Sequence, residues 1–257
     1  MELIKPVVRV GNSAGVILPK EWLNGKARVE LIAKPLNIKN EVFQILADYL
    51  DDIEGIYLVG SYARGEETEK SDIDILVITS GLNKKIESGR YEIMLISKIK
   101  VEEALKNNVL PILPMLKEAK PLLNGHLIEY YKKTKLIPKN LRWHIESVKS
   151  ILNVNLEEIK RDKGKGKTGD AVCYSLVLRL REIYIVDCLI KGKMWSTKEL
   201  LNIIKKVSGS LNAYEGYLRV KNNLAVKDKL LIEEAEKLYQ YIYSKIKEQE
   251  NWLQKRK

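Results

Sequence analysis

Histidine, cysteine and unbroken apolar sequence are all scarce in this chain, and each scarcity excludes a class of protein. Among 257 residues there are two histidines, His126 and His144, and two cysteines, Cys173 and Cys188. The cysteines share one helical pattern, where fifteen steps at about 1.5 Å each separate them by roughly 22 Å, too far for a disulfide. Without a CxxC pair or further imidazoles the ligands of a zinc site are missing, so any metal is expected to be a hard cation held by carboxylates. No apolar run approaches the ~18 residues of a membrane span. The opening Met-Glu-Leu-Ile-Lys lacks the basic region and long apolar stretch of a secretory signal. A cytoplasmic protein with no membrane partner is the expectation.

Positive charge is abundant. The formal net charge of +11 attracts polyanions, nucleic acid or nucleotide phosphates among them, although a lysine surplus on solvated helices accounts for it equally well. The length predicts two or three compact units and the pattern an α+β chain in three segments. Residues 1–36 read as short β segments, Val7–Val10, Val16–Leu18 and Arg28–Leu31, separated by Gly and Asn turns. Residues 37–125 open on a helical stripe, Val42, Ile45, Leu46 and Tyr49, stopped at Gly55. Strands follow at 56–59, 72–79 and 90–97, and the spacing predicts an antiparallel or mixed sheet. Residues 126–257 read as helices near 138–162, 170–191, 197–207, 212–223 and 228–253, with a capping box at Ser196–Glu199 and a basic, flexible linker at Lys163–Gly169. That linker contains a GxGxxG string, but it follows a helix instead of a strand, so a dinucleotide loop is not expected.

The chemistry concentrates in Ile56–Ile78, where Gly60-Ser61 ends one strand and Asp72-Ile73-Asp74 begins the next. Side chains two apart on a strand face the same way, so Asp72 and Asp74 project together, about 6–7 Å apart along the backbone. Ile73, Ile75 and Val77 then face the core. Two carboxylates so placed can grip a pair of magnesium ions, which stabilise the attacking and leaving oxygens of phosphoryl transfer. The Gly60–Ser61 turn brings backbone N–H groups and a hydroxyl to phosphates, and Arg64 is positioned for a bidentate phosphate contact. Glu92, on the neighbouring strand, is the candidate third carboxylate, able to complete a metal's ligands and to accept the hydroxyl proton.

Gly60-Ser61, ten residues, Asp72-Ile73-Asp74, with Ala63-Arg64-Gly65 and Ser71 between, resembles the signature of the nucleotidyltransferase fold of the DNA polymerase β superfamily, especially the minimal and kanamycin nucleotidyltransferase groups. The resemblance covers roughly residues 38–125. It implies transfer of a nucleoside monophosphate, commonly AMP, from a triphosphate to a hydroxyl. It also implies phosphate binding by Gly60 and Ser61 and metal binding by Asp72 and Asp74. The third carboxylate of the family is usually Asp, and Glu92 departs from that.

Val10–Leu23 with Gly25–Glu30 resembles the AbrB/MazE swapped-hairpin family, which implies a homodimer and possible DNA contacts from Lys5, Arg9, Lys20 and Arg28. The helical segment resembles the substrate-side domains that follow nucleotidyltransferase modules, including the HEPN-like class. It lacks the Arg-to-His spacing of HEPN ribonucleases, since Arg142 and His144 are one residue apart. Tyr214 and Tyr217 share a helix face, for packing or for stacking on a base. Two functions follow: a magnesium-dependent nucleotidyltransferase acting on a protein, RNA or small molecule with a triphosphate such as ATP, or a DNA-binding, antitoxin-type regulator whose central unit binds a partner.

Overall fold

The computed structural model describes residues 3–30, 36–69 and 71–255. The chain divides into two units, residues 1–42 and 43–257. In the first, β1 (Val7–Val10) and β2 (Ser13–Val16) form an antiparallel hairpin in register from Val7↔Val16 to Val10↔Ser13, turning through Gly11 at φ 57°. The strand expected to reach Leu18 stops at Val16, because Pro19 follows and cannot donate to a ladder. A 3-10 turn, Lys20–Trp22, comes next. The strand expected at Arg28–Leu31 does not form over Arg28–Glu30, where no partner strand pairs, and Leu31 lies outside the described residues. None of residues 3–30 is buried, as the size of a lone two-stranded ribbon dictates. Helix α1 (Ile38–Ile45) spans the division and continues as a 3-10 turn, Ala47–Asp52.

The second unit opens with β3 (Ile53–Leu58), α2 (Gly60–Arg64), β4 (Ile73–Thr79), β5 (Lys84–Ser88) and β6 (Tyr91–Ser97). Helices α3 (Lys98–Asn107) and α4 (Leu113–Glu118), strand β7 (Lys120–Leu123) and helix α5 (Gly125–Lys132) follow. The five strands make one sheet in the order β5-β6-β4-β3-β7. Gly55, read from sequence as a helix stop, lies instead inside β3 at a register shift. The sheet is mixed because β5, which the sequence pattern did not disclose, occupies the outer edge and turns back through Gly89-Arg90 into β6. That reversal makes β6 parallel to β4, residue for residue from Ile73↔Tyr91 to Thr79↔Ser97. The ends that carry chemistry therefore meet: the end of β3 and the starts of β4 and β6 lie at one edge.

Tyr57, Leu76 and Ile78 on one sheet face pack with Val101, Leu105, Leu113, Leu116, Ile128 and Tyr131 from α3, α4 and α5. Burying each such side chain contributes about 1.5–3 kcal/mol. A second core belongs to the helices α6 (Pro138–Asp162), α7 (Asp170–Ile190), α8 (Thr197–Ser208), α9 (Asn212–Lys221) and α10 (Ile232–Gln254). Two short strands, β8 (Lys167–Gly169) and β9 (Asp228–Leu231), pair antiparallel beside them. The segment expected as a flexible linker is thus held in place. Thr168 is buried and donates its hydroxyl to Asp162 at 2.9 Å, and Lys165 reaches the same carboxylate at 2.7 Å. Tyr214 and Tyr217 resolve to packing: Tyr217 stacks between Tyr214 and Tyr174 with centroids 5.6 and 5.4 Å apart. Both cysteines are free and buried. Among the described residues no helix is long and apolar enough to cross a membrane.

Helix α9 is clamped to α7 by a bidentate pair, Arg219 Nε and Nη2 to Asp170 at 2.7 Å each, and the Lys227 backbone N–H adds 2.8 Å to the same carboxylate. Gly216 lets the helices come that close; a Cβ there would stand 2.7 Å from Cys173 and 2.8 Å from Asp170. The Asp170 side chain has no exposed surface and that of Arg219 only 13%, so breaking the pair strands a buried charge. Asp170→Ala should cost about 3–5 kcal/mol of stability, read as a lowered urea midpoint.

Candidate active site

Asp72 and Asp74 stand where the alternation put them. Asp74 is the second residue of β4, on the face opposite buried Ile73 and Ile75, and Asp72 precedes the strand in an exposed position. The loop before them is pinned from below. Arg90 donates to the Tyr62 hydroxyl at 2.6 Å and to the Ser71 carbonyl at 3.0 Å, while the Ile73 N–H donates to the Arg90 carbonyl at 2.7 Å. Gly60 is required twice over. Its φ is +70°, and a Cβ built on it would sit 2.0 Å from Asp74 Oδ2, so only glycine allows the carboxylate to lie against the start of α2.

Burial pushes the Asp74 carboxyl up to about 6, helped by the like charges of Glu92, Asp72 and Glu118 and opposed by Lys221, the last residue of α9. A buried carboxyl whose ionisation neighbouring negative charges oppose is the electrostatic signature of a place that takes a cation. Glu92 pairs in register with Asp74 and alternates outward on its strand, as period-2 counting predicted. Its carboxylate is 46% exposed and lies 3.2 Å from Lys85 Nζ, which also holds Glu87 at 2.6 Å. Among the described residues no three His, Cys, Asp or Glu side chains already enclose one ion.

Arg64 is engaged within the protein. Its guanidinium does not face an open phosphate position: Nε donates to Glu66 at 3.0 Å and Nη1 to Glu118 at 2.6 Å, and the side chain is 11% exposed. The segment from Gly60 to Ser71 is likewise not all loop, since its first five residues form α2. The Gly60 N–H is engaged too, donating to Glu118 Oε1 at 2.7 Å, and Trp195 Nε1 donates to the other oxygen at 3.1 Å. Glu66 in turn accepts the N–H and hydroxyl of Thr197 at the start of α8. Glu118, Trp195 and Lys221 were not singled out from sequence. The available signal was chemical: a guanidinium and a glycine N–H in a buried turn must find acceptors.

The helical part offers no ribonuclease pair. His144 is buried on α6 with Nε2 lacking a partner, and burial, reinforced by Arg179, pushes its imidazole down to about 4. The expected capping box at α8 is half formed. Ser196 accepts from the Glu199 N–H, while the Tyr184 hydroxyl stands between Glu199 and the Ser196 N–H at 2.6 and 3.0 Å.

Residues 39–134 match the family model of the nucleotidyltransferase domain. No curated protein matches the chain. Similar solved structures include a nucleotidyltransferase-like protein from Exiguobacterium sibiricum, 12% identical over 82% of this chain and 75% of that one, with a TM-score of 0.37. Another is the spectinomycin adenyltransferase AAD(9) from Enterococcus faecialis, solved with ATP and spectinomycin, 17% identical over 81% and 97%, with a TM-score of 0.43. A toxin–antitoxin solved with AMP-PNP is 20% identical over 38% and 82%, with a TM-score of 0.26.

The raised Asp74 pKa sets a sign for stability. Between the ordinary value of 3.8 and about 6 the folded chain binds more protons at this group than the unfolded chain. Stability without metal therefore falls as pH rises through that window. In a chelating buffer at pH 7, Asp74→Asn should melt above the wild type, and the two melting temperatures should converge toward pH 4.

Proposed function

We propose, from the premise that residues 39–134 are a nucleotidyltransferase domain, that the protein moves a nucleoside monophosphate from a triphosphate, ATP first, to a hydroxyl acceptor with release of pyrophosphate. The observation that carries the reading is the Asp74 carboxylate seated against Gly60, its pKa raised by burial and by Glu92 and Asp72. Such a donor set fits hard cations. Asp72 and Asp74 would hold magnesium with Glu92 as third carboxylate, and the ions, when bound, supply charge stabilisation at the attacking and leaving oxygens. The protein's own parts are then distinct. Ser61 presents its hydroxyl and N–H at the phosphates, Lys221 brings a cation to the developing charge, and Glu92 takes the proton of the incoming hydroxyl once it leaves Lys85. Gly60 and Arg64 serve by holding the turn, through Glu118.

The N-terminal hairpin supports a second element of the reading, a homodimer. Ile4, Val7, Val10, Ile17, Leu23 and Val29 are all more than half exposed, more apolar surface than so small a unit leaves uncovered when alone. A second copy of the same hairpin covers it by symmetry, and Lys5, Arg9, Lys20 and Arg28 are its candidate DNA contacts. A DNA-binding regulator remains the competing function, favoured only by this segment.

Asp72→Asn with Asp74→Asn should abolish magnesium-dependent triphosphate binding with the fold intact; ATP titration calorimetry with unchanged magnesium dependence would overturn the site. Glu92→Gln should lower turnover by at least ~100-fold, with triphosphate binding less affected. Removing residues 1–36 should convert a dimer to a monomer in light scattering, and a shortened chain that remains dimeric refutes the hairpin as the assembly element.

A further inference from the structure

The two most exposed aromatic side chains among the described residues, Tyr130 at 67% and Trp143 at 58%, bracket a stretch of unusual charge. From Tyr130 to Trp143 the chain carries Lys132, Lys133, Lys135, Lys139 and Arg142 and no carboxylate. Lys132 pairs with Glu129 at 2.9 Å, whereas Lys133, Lys135, Lys139 and Arg142 are exposed and have no acidic partner among the described residues. The stretch runs from the end of α5 through a four-residue connection, 134–137, into the first turns of α6. Exposure alternates along it: Lys133, Lys135, Ile137 and Lys139 are exposed, and Thr134, Leu136 and Pro138 are half-buried. Leu136 packs on the sheet-domain core. Asn140 fastens the turn into α6: it accepts the Ile137 N–H at 3.0 Å and donates to the Leu105 carbonyl at 3.0 Å. The outward row is therefore presented on a fixed backbone.

We infer that this surface binds single-stranded nucleic acid, with the lysine row along the sugar–phosphate backbone and Tyr130 and Trp143 as platforms for unpaired bases. The chemistry favours this occupant over others. Exposed cations without acidic partners favour a polyanion, and exposed aromatic rings at both ends of the stretch add to that where bases are unstacked. A duplex keeps its bases stacked and offers no open base face to an aromatic ring. An exposed indole is otherwise a cost in solubility. The inference rests on this surface and not on the transferase reading, so it is tested without triphosphate or metal.

The measurement is fluorescence anisotropy of the full chain with a labelled oligouridylate about 12 nucleotides long, a length within the span of single-strand sites. Trp143→Ala and Tyr130→Ala should each weaken binding roughly 5- to 100-fold with the salt slope unchanged, and Trp143→Phe should restore most of the loss. Replacing Lys133, Lys135 and Lys139 together by Ala should reduce the slope of log K against log salt by about 2. Far-ultraviolet circular dichroism confirms that each variant is folded. The inference is overturned if the oligonucleotide does not bind, or if Trp143→Ala binds as tightly as wild type. It is equally overturned if a DNA duplex or polyglutamate competes as well as the single strand, outcomes that reduce the surface to a duplex contact or an acidic-protein contact.

Discussion

One carboxylate holds the candidate active site together. Glu118, 6% exposed at the end of α4, accepts at once from the Gly60 backbone, the Arg64 guanidinium and the Trp195 indole. Burying a charge costs several kcal/mol unless its hydrogen-bonding capacity is filled, and here three donors fill it. Gly60 then backs Asp74, Arg64 fixes α2 and carries Glu66 to the first N–H of α8, and Trp195 brings the helical core to the same point. The acidic cluster at the strand ends and the helices that face it are thereby one mechanical object.

This arrangement assigns separate duties to residues that look alike in a motif. Asp72 and Asp74 present oxygens to the outside, whereas Glu118 and Glu66 spend theirs on the protein's own donors. Arg64 lies in the middle of the signature, and its charge is paired with the internal carboxylates Glu66 and Glu118. Lys221 reaches the site from α9 because Arg219, two residues earlier, is locked to Asp170. Positive charge near the candidate site thus comes from Lys221 of the helical part and from Lys85 of the sheet edge.

How much of this was legible in the sequence follows from the range of each interaction. Asp72 and Asp74 were visible because strand alternation is local, and the five long helices of residues 138–254 because their apolar periodicity repeats over many turns. Strands β5 and β7 were not, since Lys-Lys-Ile-Glu-Ser is an edge sequence with one apolar residue and Lys-Pro-Leu-Leu is a four-residue edge strand with a proline in it. With β5 unseen, the parallel direction of β6 could not be decided. Lys163–Gly169 reads as solvated linker by composition, and only its pairing with residues about 60 positions away makes it structured. The partner of Arg64 was invisible for the same reason: Glu118 is 54 residues distant and belongs to no motif.

The parallel register of β4 against β6 also fixes where this chain can change length. A single residue lost inside Ile73–Thr79 would turn Asp74 into the core and bring Ile73 or Ile75 to the solvent face, because strand faces exchange with every one-residue slip. Glu67, by contrast, lies exposed between Glu66, whose contacts to α8 need only its own position, and Thr68, whose N–H donates to the Ser71 hydroxyl. Insertions there lengthen a surface bend and leave the register untouched. Spacing within the Gly-Ser to Asp-Ile-Asp signature is accordingly rigid at its two ends and elastic in its middle, a pattern set by strand geometry before any catalytic demand is made.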